Sequence, residues 1–258
     1  MRSWRLAVDG AALAVTERGD DTAPAVVVAH GVGSTGEFAA RCWAGCVESG
    51  YRLVTYDLRG HGDSTATDDP ADHTIATHAR DLAAVVEATQ ARLVGGTSLG
   101  AHVAAAHASR HHVDALLLAI PGSLGPDVPT SRANAAVAAE VRATGVAETL
   151  RRIAAEAEVP RWVVIELERS WPRHDPASLA AALDAIANEP APATATDAPA
   201  GVVGLVDDPA HPFEAAERYA RALPRAALES LTLAEWGERR AILGDAALAA
   251  CRRAIASR

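Results

Sequence analysis

Gly96-Thr97-Ser98-Leu99-Gly100 follows directly on the apolar run Ala91-Arg92-Leu93-Val94-Gly95, and the rest of the chain is best understood outward from this join. The pattern is G-x-S-x-G where a strand gives way to a helix. A reversal that sharp needs glycine on both sides of the serine, because a β-carbon at either place collides with the strand or the helix. The spacing therefore predicts Ser98 at the apex of the turn with its hydroxyl exposed. The helix N-terminus behind it favours negative charge. A serine held in this way is a nucleophile that needs a base.

On both sides of this join, short apolar runs alternate with longer amphipathic stretches. Residues 4–8 and 11–17 predict a hairpin turning at Asp9-Gly10. Ala25-Val26-Val27-Val28-Ala29 is uninterrupted, as in a strand buried on both faces. A helix over 35–48, a strand over 51–56, a helix from His73 to Thr89, a strand over 91–96, a helix over 98–109 and a strand from Val113 to Ile120 follow. Strand–helix alternation of this kind predicts an α/β protein with a mostly parallel central sheet and helices on both faces.

The alternation then lapses. Residues 121–192 are alanine-rich and helical in spacing, and Pro192-Ala193-Thr194-Ala195-Thr196 has the composition of a linker. Alternation resumes with Gly201-Val202-Val203-Gly204-Leu205-Val206, a helix over 213–222, a strand over 226–233 and a helix near 241–256. The organisation expected is a core of residues 1–120 and 193–258, with residues 121–192 inserted as a helical cap over the carboxyl ends of the strands.

Composition narrows the function. The chain has 258 residues, enough for one large α/β domain, and a formal net charge of −9. No basic patch of useful length marks it for nucleic acid. All 24 basic residues are arginine, so no lysine is available as Schiff base or general base. Cys42, Cys46 and Cys251 make no metal or disulfide framework, which suits a reducing cytoplasm. The N-terminus lacks the apolar core of a signal peptide, and no uncharged apolar run reaches the roughly 18 residues of a membrane span. The expected partner is a small-molecule substrate, with no cofactor: zinc-ligand spacing and G-x-G-x-x-G are both missing.

Four segments carry a resemblance to the α/β-hydrolase family over nearly the whole chain. They are His30-Gly31-Val32-Gly33-Ser34, Tyr56-Asp57-Leu58-Arg59-Gly60-His61-Gly62-Asp63-Ser64, the Ser98 turn, and Val206-Asp207-Asp208-Pro209-Ala210-His211-Pro212. The resemblance implies a serine hydrolase acting on a small carboxylic ester, thioester or lactone. Ser98 would be its nucleophile, and the Val32 and Leu99 amides its oxyanion hole. The acid would follow the late strand. Asp208 fits the D-x-x-x-P spacing there, and Asp207 fits G-x-x-D. A serine at the elbow argues against the dehalogenase and epoxide hydrolase branches, which resemblance would give a carboxylate.

The family places its general base after the last strand, and here Leu231-Thr232-Leu233-Ala234-Glu235-Trp236-Gly237-Glu238-Arg239-Arg240 contains no histidine. The substitutes are His211, three residues beyond Asp208; His102, one helical turn beyond Ser98; His174, late in the insertion; and Glu235 or Glu238. His211 is taken as the base. Each histidine also has a structural reading: a helix start for His211, core packing for His102 and a loop for His174. The missing base keeps a second class of function open, a non-hydrolytic ligand-binding protein of the same fold. A third, an accessory subunit docking through the cap, has no apolar stripe to support it.

Overall fold

The computed structural model describes residues 1–126, 128–156, 158–192 and 194–257. Eight strands form one sheet: β1 (Arg2–Val8), β2 (Ala11–Arg18), β3 (Ala25–Ala29), β4 (Arg52–Tyr56), β5 (Leu93–Thr97), β6 (Ala115–Ala119), β7 (Ala200–Leu205) and β8 (Ala226–Leu231). Their order is β1-β2-β4-β3-β5-β6-β7-β8. The β1–β2 and β2–β4 pairs are antiparallel, and every pair from β4 through β8 is parallel. The chain passes from β3 to β4 on one side and then returns to lay β5 on the other side of β3. The carboxyl ends of β3 and β5 thus border the switch point of the sheet, where open α/β sheets bind ligands.

Side-chain alternation along the strands fills two cores. Val27, Ala29, Val94, Leu116, Leu118 and Val202 point to a face covered by α3 (Ile75–Thr89), α4 (Leu99–Ala108) and α9 (Phe213–Ala222). Val26, Val28, Leu117, Ala119, Val203 and Leu205 point to the opposite face, under α1 (Gly36–Cys42), α2 (Gly45–Glu48), α10 (Leu233–Glu238) and α11 (Ile242–Ala256). Between β6 and β7 lie α5 (Pro129–Thr144), α6 (Val146–Ala155), α7 (Arg161–Ser170) and α8 (Pro176–Asn188). These build a third core from Ala138, Val141, Leu150, Trp171, Leu179 and Leu183, with Val32 of the β3 loop packed against it.

Two differences from the sequence expectation have local causes. The helix expected over 35–48 is broken, because Trp43 turns fully inward and donates its indole N–H to Thr97 Oγ1 at 3.0 Å. Gly45 follows because a β-carbon there would fall on the Asp245 carboxylate of α11. The segment expected to extend β8 to residue 233 turns instead into α10. Thr232 caps that helix, and Glu235 returns a carboxylate oxygen to the Thr232 backbone N–H, a complete capping box.

Candidate functional site

Ser98 links β5 to α4 with φ 55° and ψ −116°. A non-glycine residue in this region costs about 1–3 kcal/mol and persists only where its surroundings hold it. The surroundings do so by close approach. A β-carbon on Gly96 would come within 2.1 Å of the Gly100 carbonyl, and one on Gly100 within 2.1 Å of Ala29 O. Glycine at both positions lets α4 lie directly over the end of β3. The Ser98 amide completes the turn by donating to Ala119 O at 3.0 Å.

Asp208 and His211 share the tight turn that follows β7. Val206 N–H is still paired with Leu231 O of β8, and the His211 amide donates to Asp208 O at 3.3 Å. The turn brings His211 Nδ1 to 2.8 Å from Asp208 Oδ2, while His211 Nε2 lies 2.9 Å from Ser98 Oγ. Burial raises the Asp208 pKa, but the His211 hydrogen bond and charge outweigh this together with the Ala210 and His211 amides. Its carboxyl is held below the usual range. An ionised Asp208 only accepts, so Nδ1 carries the imidazole proton. That leaves the Nε2 lone pair facing the Ser98 hydroxyl, which donates to it. Such a chain can take a proton from serine and stabilise the resulting imidazolium. Asp207 points elsewhere: its Oδ1 accepts the Leu233 N–H at 2.7 Å, tying the turn to the start of α10.

The β3 loop closes the other side. An ideal β-carbon on Gly31 would lie 3.2 Å from Ser98 Cβ, so the Gly31–Val32 backbone runs against the serine. Leu99 is the first residue of α4, where helix geometry leaves its N–H without an acceptor four residues back. The loop is fixed by buried groups. His30 Nε2 accepts from Leu58 N–H at 2.9 Å, His61 Nε2 accepts from Gly33 N–H at 3.2 Å, and Asp57 Oδ1 accepts from Gly36 N–H at 2.7 Å. Burial pushes the His30 pKa down to about 4 and that of His61 well below its ordinary value, and a neutral ring is what accepting these amides requires. Arg59 in the same motif binds both oxygens of Asp81 and one of Asp72.

The other base candidates lie apart from Ser98 in their bonding. His102 is buried between Tyr219 OH, 2.7 Å from Nδ1, and Gly122 O, 3.1 Å from Nε2. His174 spans from the insertion to the β3 loop, with Nδ1 2.8 Å from Ser170 O and Nε2 3.1 Å from Ser34 O. Glu235 is engaged in the α10 capping box, and Glu238 is an exposed residue at the end of that helix. The i, i+3 spacing of Asp208 and His211 was the available signal for the pair. Nothing local announced the Tyr219–His102–Gly122 contacts, whose members come from three distant segments. Among the described residues no cluster of histidine, cysteine, aspartate or glutamate is placed to hold a metal, and no helix is long and apolar enough to cross a membrane.

Solved structures share this architecture. An enol-lactonase from Burkholderia xenovorans LB400 superposes with a TM-score of 0.73 at 23% identity, over 88% of this chain and 90% of its own. A thermophilic esterase from Thermogutta terrifontis gives 0.75 at 22%, over 98% and 99%. The bottromycin epimerase BotH gives 0.70 at 21%, over 99% of each chain. No curated protein sequence matches the chain. The sequence model of the alpha/beta hydrolase family matches residues 26–249, a span that takes in the β3 loop, the Ser98 turn and the Asp208–His211 turn alike, so the chain belongs to the alpha/beta hydrolase family.

Proposed function

We propose that this protein is a serine hydrolase of a small carboxylic ester, thioester or lactone. Ser98 is the nucleophile, His211 the general base and acid, and Asp208 the group that orients the imidazole and stabilises the imidazolium it becomes. The observation that carries the reading is the continuous hydrogen-bonded chain from Asp208 through His211 to Ser98 Oγ, at 2.8 and 2.9 Å. The base has moved from the loop after β8 to the loop after β7, where it shares one turn with its acid.

In the forward step, Ser98 Oγ attacks the substrate carbonyl carbon as its proton passes to His211 Nε2. The carbonyl oxygen becomes an oxyanion between the Val32 and Leu99 amides. Each such donor is worth about 3–4 kcal/mol of transition-state stabilisation. Collapse expels the alkoxide or thiolate, which takes the proton back from Nε2 and leaves an acyl-Ser98 ester. Water then gives its proton to Nε2 and attacks the acyl carbon, and the proton returns to Ser98 as the acid departs. In a lactone the leaving alcohol stays attached to the acyl group. Residues 121–192 act as the cap that selects the substrate. The packing of Trp171 and Leu179 against Gly33 of the β3 loop supports this. Three buried, unbridged cysteines suit a reducing compartment such as the cytoplasm.

The test is intact-mass labelling with a fluorophosphonate on wild type, Ser98→Ala and His211→Ala. Expected are rapid addition of one phosphonyl group to wild type, none to Ser98→Ala, and slowing of at least about 10³-fold in His211→Ala. A folded wild type that resists labelling would overturn the hydrolase in favour of a ligand-binding protein of the same family.

A further inference from the structure

The buried histidines that hold the β3 loop reveal their proton count in their contacts. His30 donates from Nδ1 to Gly31 O at 2.7 Å and accepts the Leu58 N–H at Nε2. His61 donates from Nδ1 to Arg59 O at 3.0 Å and accepts the Gly33 N–H at Nε2. One donor and one acceptor is what a neutral imidazole offers. His174 differs. Its Nδ1 lies 2.8 Å from Ser170 O and its Nε2 lies 3.1 Å from Ser34 O. Both partners are carbonyls, which only accept, so the two bonds exist together only when the ring carries two protons.

The two carbonyls belong to different parts of the molecule. Ser170 is the last residue of α7, where helix geometry leaves its carbonyl without a donor from the helix. Ser34 closes the turn that carries Val32, its amide donating to Gly31 O at 3.1 Å. His174 thus bridges the insertion to that turn, at the corner where the insertion meets the core. Beside it, Arg173 pairs with Glu37 and Asp63 at 3.0 and 2.7 Å, and Ser178 Oγ accepts the Thr67 N–H at 2.8 Å.

A neutral ring can keep only one of the two bonds. The Ser170 bond is the shorter, is buried, and lies at the negative end of the α7 dipole. The Ser34 bond is only partly buried, and a carbonyl that water can reach loses less when its donor leaves. The neutral ring therefore keeps its proton on Nδ1, and Nε2 sets a lone pair against Ser34 O. The groups around the ring act in both directions. Burial is the largest influence and lowers the His174 pKa from 6.5, the two carbonyls and Asp57 raise it, and Arg173 lowers it. His61, edge-on at 5.2 Å, and His30 are neutral by their own contacts. Asp175, next along the chain, is turned away to accept the Ser178 N–H at 2.9 Å. His174 is thus neutral above about pH 6.5 and gains its second proton as pH falls.

We propose that His174 is a proton-operated latch between the insertion and the Val32 turn, closed onto Ser34 O when the ring is charged and released from it when the ring is neutral. Acid locks the insertion onto the turn, and neutral solution lets the two part. The latch stands on these contacts and does not require Ser98 to be a nucleophile.

The experiment is a series from pH 5 to 8 on the full chain, read in two ways. Imidazole nitrogen-15 resonances give the proton occupancy of each His174 nitrogen. Expected is a ring protonated on Nδ1 alone at pH 8 that gains a proton on Nε2 as pH falls. Amide hydrogen exchange, corrected for the intrinsic rate at each pH, gives the opening of the turn through the Ser34 N–H. Its protection should be at least about fivefold greater at pH 5 than at pH 8, the low end of coupling between linked sites. The sign is diagnostic. Acid weakens the molecule as a whole, because burial pushes the His30 and His78 pKa values down to about 4 and about 3, so an amide freed only by global unfolding exchanges faster in acid. His174→Gln and His174→Phe, which cannot titrate, should abolish the gain in acid. His78→Leu, in the same run of rings, should retain it. If neither His174 variant folds, the wild-type resonances and exchange decide alone. A ring that stays neutral down to pH 5, a ring protonated on Nε2 at pH 8, or Ser34 protection that is level or falls toward acid would each overturn the latch. A Ser98 that does not label overturns the hydrolase reading and leaves the latch in place.

Discussion

A carboxylate and an imidazole three residues apart can bond to one another only if the backbone between them turns tightly. Asp208-Pro209-Ala210-His211 does so, with the Ala210 amide donating to Asp208 Oδ1 at 2.9 Å while Oδ2 faces His211. One oxygen holds the turn and the other holds the ring, while Asp207 Oδ1 accepts the Leu233 N–H. Asp208→Asn should preserve the shape and lose the function. An amide that donates toward the ring imposes the opposite tautomer and leaves Nε2 protonated against the serine hydroxyl. A loss on the order of 10⁴-fold in labelling rate with an unchanged melting temperature is expected, as for the corresponding change in serine proteases. Asp207→Asn keeps an acceptor for Leu233 N–H and should stay within about threefold of wild type. A reversed ranking of these two variants would assign the acid to Asp207. At this scale the sequence was informative where chemistry is local. D-x-x-H spacing marks a pair, and G-x-S-x-G marks a turn. For His102 the sequence offers a base or, more readily, core packing; its polar contacts stay hidden until the fold brings Tyr219, 117 positions away, beside it.

The elements position these residues by close approach more than by side-chain contact. Strand β5 ends and α4 begins within one residue. The helix rests on the carbonyl end of β3 because Gly100 presents no side chain. Gly100→Ala should therefore act as a wedge. Its methyl would sit 2.1 Å from Ala29 O, and neither backbone can give way without moving the serine. Overpacking of this kind costs about 1–3 kcal/mol. The expected result is a lowered denaturation midpoint together with slower labelling, whereas an alanine at Gly122, which meets His211 only at ordinary contact distance, should leave the midpoint near that of wild type. The element boundaries show what the sequence could reveal at this scale. Strands buried on both faces, such as β3 and β6, stand out as continuous apolar runs, and helices spaced by 3.6 residues follow. The break between α1 and α2 was hidden because its cause is Thr97, on another strand, bonding the Trp43 indole. Helix α10 is legible in Thr232-Leu233-Ala234-Glu235, the sequence signature of the capping box it forms, although the apolar pattern alone carries β8 on to residue 233.

At the scale of the whole molecule, this architecture does not specify an activity. An esterase, an enol-lactonase and an epimerase share it at similar TM-scores. This chain buries several histidines around the candidate site. His30, His61, His73, His78 and His174 form a run of edge-on ring contacts beneath the β3 loop, with His102 buried separately behind His211. Burial pushes His30 down to about 4, and His78 and His102 down to about 3, from an ordinary value of 6.5. Between those limits the folded chain binds fewer protons than the unfolded one. Their contribution to stability is therefore full above about pH 6.5 and falls as pH drops through 5 toward 4. Each such group contributes about 1.4 kcal/mol per pH unit in that window, so these three together remove about 4 kcal/mol per unit. Against a total of about 5–15 kcal/mol for a typical domain, this predicts acid unfolding well before the carboxylates titrate. Urea midpoints should be near level between pH 8 and 7 and drop steeply from 6.5 to 5, with at least three protons taken up on unfolding at pH 5; above pH 8 they fall again, because burial raises the pKa of Cys42, Cys46 and Cys251. His78 offers the sharpest check. Neither of its ring nitrogens has a hydrogen-bond partner among the described residues, and it lies outside the Ser98–His211–Asp208 chain. His78→Leu removes a titrating group without orphaning a donor, so it should make the fall between pH 6.5 and 5 shallower by about one proton. A midpoint that stays level down to pH 5 in wild type would mean that these rings ionise in place and that the cluster tolerates charge.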